Sequence, residues 1–294
     1  MLDHHSDLIT YFKLPDTSAY HQHFAKVELT PVDWMDVNTW RFRLDEESAP
    51  GWWEDVAAAA EKELRTRANA MILRDGEHEL IVDGCWIVGG TAKIRDIRSG
   101  RIVRVQDTAA LSGVWGSAQV SGVWGSAQVS DVRDSAQVSG VWDSAQVSDV
   151  WGSARVSGVG GSARVSVVGD SAQVSAVGGS ARVSGVWGSA QVSDVWGSAQ
   201  VSDVRDSAQV SDVRDSARVS NVRGSAQVSN VWGSAQVSDV RDSARVSNVR
   251  GSARVSGVGP DVVLDASAKT HCADAPAPAA APTPKKTRTR KAKS

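Results

Sequence analysis

A nine-residue unit, Ser-x-Val-x-x-Ser-Ala-x-Val, occurs sixteen times in succession between Ser112 and Val255, without an insertion. This repetition constrains the fold more than any other feature, because so short a unit buries its apolar residues only by stacking on further copies. Positions 1, 3, 6, 7 and 9 are the same in every unit. Position 2 is mostly Gly, Asp or Asn, position 4 is Trp, Arg or Gly, position 5 is Gly or Asp, and position 8 is Gln or Arg.

The variation at each position predicts which side chains face the interior. The invariant Val and Ala indicate a tightly packed interior that accepts one volume. Position 4 exchanges Trp, Arg and Gly, and this indicates a solvent-facing site. Gly, Asp and Asn at positions 2 and 5 are typical of corners with left-handed backbone. The Ala and Val of Ala-x-Val are two residues apart, so both point to one face of a short strand.

These features predict a mainly β fold, a parallel β-solenoid. The unit holds two Val, two Ser and usually a Gly, all of which disfavour a helix. Nine residues are too few to enclose a packed interior, so we expect two units, or 18 residues, per coil. Sixteen units then give about eight coils and a rod of roughly 38 Å.

The repeat resembles known repeat families. Val-Trp-Gly-Ser-Ala-Gln is similar to the unit of hexapeptide and polymer-forming repeats, with three residues inserted each time. The segments "EESAPGWWEDVAAAAEKEL" and "VDGCWIVGGTAKI", followed by the tandem units, resemble uncharacterised nine-residue-repeat proteins of actinobacteria and their phages. This resemblance covers residues 46–255. It implies a solenoid fold and a phage or actinobacterial source, but no activity.

The remaining sequence predicts four further segments. Residues 1–75 are expected to form a small α+β capping domain with a helix at 52–71. Residues 76–111 resemble degenerate first coils, since "GTAKI" is similar to "GSAQV". Residues 256–268 are expected to cap the C-terminal end, because Pro260 cannot donate to a further ladder. Residues 269–294 form a Pro/Ala linker and a basic tail, which we expect to be disordered.

The variable position 4 supplies a candidate binding surface. Stacked indoles and guanidinium groups suit flat partners such as sugars, nucleobases or another solenoid. The alternative is that they only shield and rigidify the β-ladder backbone at the corner. The Arg-Asp sequences, as in Arg133-Asp134, predict surface ion pairs. The candidate residues are Trp115, Trp124, Arg133, Trp142, Trp151, Trp187, Trp196, Arg205, Arg214, Arg223, Trp232, Arg241 and Arg250.

The charge distribution bears on nucleic-acid binding. The repeat holds 12 Arg and 12 Asp and is neutral, which disfavours a nucleic-acid groove along it. The tail is basic and could contact phosphate or another anion weakly and without sequence specificity. The residues for such contact are Lys285, Lys286, Arg288, Arg290, Lys291 and Lys293.

No residue set indicates catalysis, a cofactor or a metal. His4, His5, His21 and His23 lack metal-site spacing, and the aspartates of the repeat lack the Gly-Gly-x-Gly-x-Asp pattern of calcium-binding rolls. The acidic stretch Asp33, Asp36, Asp45 and Glu46 does not have the spacing of an active site. Cys85 is expected to be a small buried side chain and Cys272 a free thiol.

These patterns favour a non-enzymatic structural or display scaffold, in a phage or host assembly. The alternatives are a solenoid that binds carbohydrate or protein and a chain that associates with nucleic acid through its tail. A homo-oligomer is left open. Without a membrane span or a signal-peptide pattern, we expect a cytoplasmic or virion-associated location.

Overall fold

The computed structural model describes residues 25–46, 48–81 and 83–264. The fold in these residues is a mainly β parallel solenoid with one α-helix, as the repeat predicts. Two long parallel sheets run along a rod, and each coil contributes one strand to each sheet. The predicted basic tail lies outside the described residues, as do Cys272 and the four histidines at positions 4, 5, 21 and 23. No helix in the described segments is long and apolar enough to cross a membrane.

The elements before the rod are a two-stranded antiparallel hairpin, a short 3-10 helix and helix α1. Their bounds are β1 (Val27–Thr30), the 3-10 helix (Val37–Thr39), β2 (Arg41–Leu44) and α1 (Trp53–Ala70).

The first sheet of the rod has 11 strands, and each strand pairs with the second strand before it and the second strand after it in the chain. They are β4 (Glu77–Ile81), β6 (Lys93–Ile97), β8 (Ala110–Val114), β10 (Gln128–Val132), β12 (Gln146–Val150), β14 (Arg164–Val168), β16 (Arg182–Val186), β18 (Gln200–Val204), β20 (Arg218–Val222), β22 (Gln236–Val240) and β24 (Arg254–Ser256).

The second sheet has 12 strands, which alternate along the chain with those of the first. They are β3 (Ile72–Leu73), β5 (Cys85–Val88), β7 (Arg101–Val105), β9 (Gln119–Val120), β11 (Gln137–Val138), β13 (Arg155–Val156), β15 (Gln173–Val177), β17 (Gln191–Val195), β19 (Gln209–Val213), β21 (Gln227–Val231), β23 (Arg245–Val249) and β25 (Val263–Leu264).

The register confirms the 18-residue coil. Within the repeat each residue pairs with the one 18 positions later, as Gln128 does with Gln146. The first coils are shorter, since Ile72 pairs with Ile87 and Lys93 with Ala110. Because these earlier strands belong to the same two sheets, the rod has about eleven turns rather than the eight that the repeat alone predicts. At the spacing of paired strands it is roughly 53 Å long.

The interior consists of the residues that never vary. Val at positions 3 and 9 and Ala at position 7 are buried in every unit and form one continuous core along the rod. No polar or charged residue among those described is buried. Since each Val and Ala stacks on its own copy, one combination of volumes serves every coil.

Each coil turns twice, and each turn uses positions 4 to 7. The Ala N–H at position 7 donates to the carbonyl of position 4, as Ala118 does to Trp115 at 3.1 Å. Position 5 has a positive φ in all sixteen units, 60° to 71° for Gly and 54° to 60° for Asp. The Ser N–H at position 6 also donates to position 5 of the preceding coil, so the turns themselves are bonded along the rod. These residue types tolerate the left-handed conformation, which explains why only Gly and Asp occur here.

The left-handed conformation predicted for position 2 occurs in only part of the repeat. It is present in the last six units, where φ is 53° to 55° at Asp203, Asp212, Asn221, Asn230, Asp239 and Asn248. In the first ten units φ is not positive at position 2. Position 2 belongs to a strand in seven of these units and lies outside the strands at Gly122, Gly140 and Gly158. The prediction was therefore wrong for those units, since position 2 there also includes Val167 and Ala176.

The N-terminal elements pack against the first coils. Trp40, Ala68 and Ile72 form a second apolar cluster with Val37 and Ile87. Arg65 of α1 donates to the carbonyls of Val37 and Trp40, the latter at 2.9 Å. These bonds fix the 3-10 helix and the residue that precedes β2. Cys85 is half-buried rather than fully buried.

Candidate binding surface

Position 4 forms two separate columns, one at each turn of the coil. Residues 18 apart in the chain lie in neighbouring coils of the same column. Corner A follows the 11-stranded sheet, and corner B follows the 12-stranded sheet. Corner A contains Trp115, Arg133, Trp151, Gly169, Trp187, Arg205, Arg223 and Arg241. Corner B contains Trp124, Trp142, Gly160, Gly178, Trp196, Arg214, Trp232 and Arg250. The candidate residues therefore do not form one face, because they lie on two edges of the rod.

Corner B carries the exposed tryptophans. Trp142, Trp196 and Trp232 are 38%, 41% and 44% exposed, whereas the indoles of corner A are all half-buried. Trp124 and Trp142 stack with ring centroids 5.8 Å apart and an interplanar angle of 27°. The guanidinium of Arg214 lies 5.8 Å from the ring centroid of Trp232. Corner B is thus the more accessible of the two aromatic columns.

The glycines of position 4 are buried, contrary to the expectation that this position always faces solvent. The ring of Trp142 covers Gly160, and the ring of Trp196 covers Gly178, so closely that a Cβ at either glycine would clash with the indole. On corner A, Trp151 covers Gly169 in the same way. A glycine at position 4 is therefore covered by a tryptophan at position 4 of a neighbouring coil, and a comparison of single units does not reveal this pairing.

The side chains of corner A contact one another between neighbouring coils. Trp151 and Trp187 meet edge to face across Gly169, with centroids 6.4 Å apart. The guanidinium of Arg133 lies 5.0 Å from the ring centroid of Trp115, and that of Arg205 lies 5.8 Å from Trp187. Open clefts remain beside these contacts, one of about 350 Å³ at Trp115 and one of about 570 Å³ between Arg133 and Trp151.

The ion pairs of corner A differ from those predicted. Arg133 pairs with Asp131 at 3.0 Å, rather than with Asp134, and Arg205 pairs with Asp203 at 3.1 Å. The reason is that position 5 is left-handed and directs its carboxylate along the rod axis. Asp131 also stacks beside Asp149, and burial together with this second carboxylate raises the pKa of Asp149.

The position-5 aspartates bind the backbone of the preceding coil. Asp134 accepts a hydrogen bond from the N–H of Gly116 at 3.1 Å, and Asp206 accepts one from Gly188 at 3.1 Å. The same contact is made by Asp143, Asp170, Asp215 and Asp242, at 3.0 to 3.2 Å. All six lie one coil after a glycine. On corner A the residues at position 5 alternate strictly between Gly and Asp, so that no two carboxylates are adjacent.

Two residues that the sequence did not single out extend corner B toward the N-terminus. The guanidinium of Arg104 lies 4.7 Å from the ring centroid of Trp124 and 5.5 Å from that of Trp34. Burial lowers the pKa of Arg104. This residue joins the N-terminal segment to the aromatic column. Its coil pairs with the next at the 18-residue spacing, so Arg104 corresponds to Gly122 at position 2, and a comparison of position 4 alone could not have indicated it.

The N-terminal acidic residues have structural contacts. The Asp33 and Asp36 carboxylates accept hydrogen bonds from Met35 and Asn38 N–H at 2.9 Å and 3.0 Å and so hold the turns around the 3-10 helix. Asp45 pairs with Lys26 at 2.8 Å, and this contact lowers the pKa of Asp45. Across the described segments, no three His, Cys, Asp or Glu side chains are grouped so as to hold a metal ion.

A cleft of about 730 Å³ lies between α1 and the segment at Met35–Asn38. Both arginines of its lining already make hydrogen bonds within the chain, since Arg65 donates to backbone carbonyls and Arg74 donates to the Met35 carbonyl at 2.7 Å. The cleft therefore presents mainly side chains that hold the N-terminal segment in place.

The anion contacts predicted for residues 285–294 lie outside the described residues. Comparison of the chain with models of protein families, with curated proteins and with solved structures finds no match.

Proposed function

We propose that this protein is a non-enzymatic structural or display scaffold. Its rod sets the distance between the N-terminal elements and the basic tail, in a phage particle or host-associated assembly, with a cytoplasmic or virion-associated location. The observation that carries this proposal is the unbroken 18-residue register of both sheets through the repeat. A register without insertions makes length a simple function of the number of units.

The bonding of the rod supports a spacer of defined length. Both sheets and both turns are hydrogen-bonded from coil to coil, so every part of the coil perimeter resists extension. The interior accepts only Val and Ala, whereas the outward positions exchange Trp, Arg and Gly. Selection on length and stiffness produces this division, since neither property depends on a particular outward side chain.

Photo-crosslinking tests the scaffold proposal in cells that produce the protein. A photoreactive residue is placed at Glu79 near the start of the rod, at Ser144 beside Trp142, or at Lys285 in the tail. We expect different partners at Glu79 and Lys285 and few adducts to other proteins at Ser144. Adducts to other proteins concentrated at Ser144 would contradict a spacer and favour a binding role for the rod.

The second candidate function is binding of carbohydrate or protein through corner B. It is supported by the three exposed indoles on this one edge. Affinity electrophoresis in gels that contain hydroxyethyl cellulose, glycol chitin or arabinogalactan tests the carbohydrate case. We expect retardation that is lost in Trp142→Arg/Trp196→Arg and kept in the corner A control Trp151→Arg/Trp187→Arg. The absence of retardation in all three gels would exclude these three glycan classes as ligands of corner B.

The third candidate is weak nucleic-acid association through the six basic residues of 285–294. Neutralising about six phosphates predicts a log–log salt slope near −5 on duplex DNA. Truncation after Pro284 should abolish binding to a random duplex without lowering the melting temperature. Binding that survives truncation would assign the contact to the rod instead.

A further inference from the structure

The residues of corner B read nearly the same in both directions along the rod. From the centre outward, Gly160 mirrors Gly178 and Trp142 mirrors Trp196. The next pair sets Trp124 against Arg214, an aromatic ring against a cation. A surface with this order is self-complementary, because rotation by 180° about an axis between Gly160 and Gly178 returns a matching column.

We propose that corner B is the dimer interface of this protein, and that its partner is a second copy in antiparallel orientation. This inference rests on the second proposed function, that corner B is a binding surface. The two-fold axis would pass between the coils of Gly160 and Gly178. Trp142 of each copy would then face Trp196 of the other, at two equivalent places.

The positions of the indole rings favour this arrangement. Trp142 lies over Gly160 and Trp196 lies over Gly178, so both rings lean toward the proposed axis and lie against the rod. Each ring is about 40% exposed. Two copies related by the axis would bring these rings together as two aromatic pairs at the centre of the contact. Offset stacking of such rings adds to the gain from burying their area.

The two central turns of corner B carry no charge at positions 4 and 5. The turns of the central two coils begin with Gly160-Gly161 and Gly178-Gly179, the only units in which positions 4 and 5 are both glycine. No charged side chain at these two positions would have to be desolvated at the axis. The same two units carry exposed Arg164 and Arg182 at position 8, at the starts of β14 and β16. The Asp143 carboxylate accepts a hydrogen bond from the N–H of Gly125, at 3.2 Å, on the side away from the axis.

Corner A is an internal comparison, because it is also symmetric but is unsuited to pairing. Its centre is Gly169, and the equivalent rotation would set Arg133 against Arg205, two like charges. Trp151 and Trp187 already contact each other across this centre. Neither is among the exposed tryptophans. The symmetry of the sequence alone therefore does not select an edge, whereas the exposure of the indoles selects corner B.

The length of the contact predicts its strength. From the coil of Trp124 to that of Arg214 is five coil steps, or roughly 24 Å. An edge of this length buries less than the area typical of permanent complexes, so we expect a dimer that dissociates on dilution. Sedimentation velocity of the full chain over about 1 to 500 µM covers the range in which such a contact is measurable.

Substitutions that the repeat itself uses at position 4 provide the test. Trp142→Arg/Trp196→Arg would set two guanidinium groups against each other at each central pair, and we expect the dissociation constant to rise at least about tenfold. Trp151→Arg/Trp187→Arg makes the same chemical change on corner A and should leave the dissociation constant unchanged. Melting temperatures establish that both variants fold. If the arginine variant of corner B does not fold, Trp142→Gly/Trp196→Gly replaces it.

A variant with opposite charges at the two positions checks the antiparallel pairing. Trp142→Arg/Trp196→Glu should dimerise on its own, because antiparallel copies set the introduced arginine against the introduced glutamate, whereas parallel copies would set like charges against each other. A wild-type chain that is monomeric throughout would overturn the dimer, while the glycan assay reports separately on corner B as a binding surface. A dimer that is unaffected by the corner B variants, or equally weakened by the corner A variant, would also overturn the proposal.

Discussion

The first ten units and the last six units of the repeat have the same interior but a different backbone at position 2. In seven of the first ten units, position 2 pairs across the sheet, as Asp131 does with Asp149. In the last part, position 2 is left-handed and position 1 pairs instead, as Ser202 does with Ser220. Neither position pairs between β16 and β18, where the change occurs.

This difference shows that neighbouring coils, as well as residue type, decide the local conformation. Asp149 and Asp194 are extended although Asp tolerates the left-handed region. Their pairing partners in the adjacent coils include Val167 and Ala176, for which that region is unfavourable. Because strands share a hydrogen-bond ladder, residues that must be extended hold their neighbours extended.

The left-handed part gains contacts between side chains in return. Asn248 donates to the Asn230 side-chain oxygen at 3.0 Å, and Asn230 donates to the Asp212 carboxylate at 3.1 Å. Asp and Asn alone occupy position 2 in the last six units, so this column is continuous there. The first part and the last part of the repeat thus form the same coil with two different backbone conformations at position 2.

The largest expected effect is on the interior that the two parts share. Val132→Asp and Val222→Asp each place an unpaired carboxylate at a fully buried site. We expect each to destabilise its part of the rod by more than about 4 kcal/mol, because a buried charge without a partner is costly. Urea denaturation followed by circular dichroism measures this loss. A mild effect in either part would show that the two interiors differ.

A substitution at position 2 should separate the two parts. Asn221→Val puts a β-branched residue where φ is 55°, and we expect a loss of about 1 to 2 kcal/mol. Asp149→Val makes the matching change at an extended position beside Val167 and should be neutral or stabilising. The urea midpoints of the two variants provide the comparison. Equal effects would mean that backbone conformation does not govern this position.

Two deletions of one coil test the alternation on corner A. Deleting 184–201 would bring Asp206 next to Asp170, whereas deleting 166–183 would bring Gly188 next to Gly152. We expect the first variant to be less stable by about 1 kcal/mol, from repulsion between adjacent carboxylates. Asp206→Gly in the first deletion should restore the lost stability and so abolish the difference between the two deletions. Melting temperatures that do not distinguish the deletions would remove the proposed role of the alternation.

The smallest expected effect is on pH dependence and belongs to the extended part. Burial raises the pKa of Asp149 above its ordinary value of 3.8, so the folded state binds this proton more tightly than the unfolded state. Stability from this site is then highest below pH 3.8 and falls as the pH rises toward neutrality. Asp149→Asn should remove this dependence, by less than about 0.5 kcal/mol because solvent screens the site. Thermal melts of both chains at pH 3.5 and pH 7 check the sign.

The sequence was sufficient to predict what repeats within one unit. The inward Val and Ala, the outward Trp and Arg of position 4 and the two-unit coil all follow from residues compared unit by unit. What it did not predict depends on pairs 18 residues apart. The cover of Trp142 over Gly160, the bond from Gly116 to Asp134 and the change at position 2 are of this kind. They become visible only when units two apart are compared, since alternate units occupy different corners.

The distance between two points on one corner tests the 18-residue coil most directly. Nitroxide labels on Ser117→Cys and Ser243→Cys, in a background of Cys85→Ser and Cys272→Ser, lie seven coils apart along corner A. Pulsed electron paramagnetic resonance should give a distance of about 34 Å, shortened to about 29 Å by deletion of 166–183. A distance near 67 Å that shortens by about 10 Å would indicate nine residues per coil and would contradict the account.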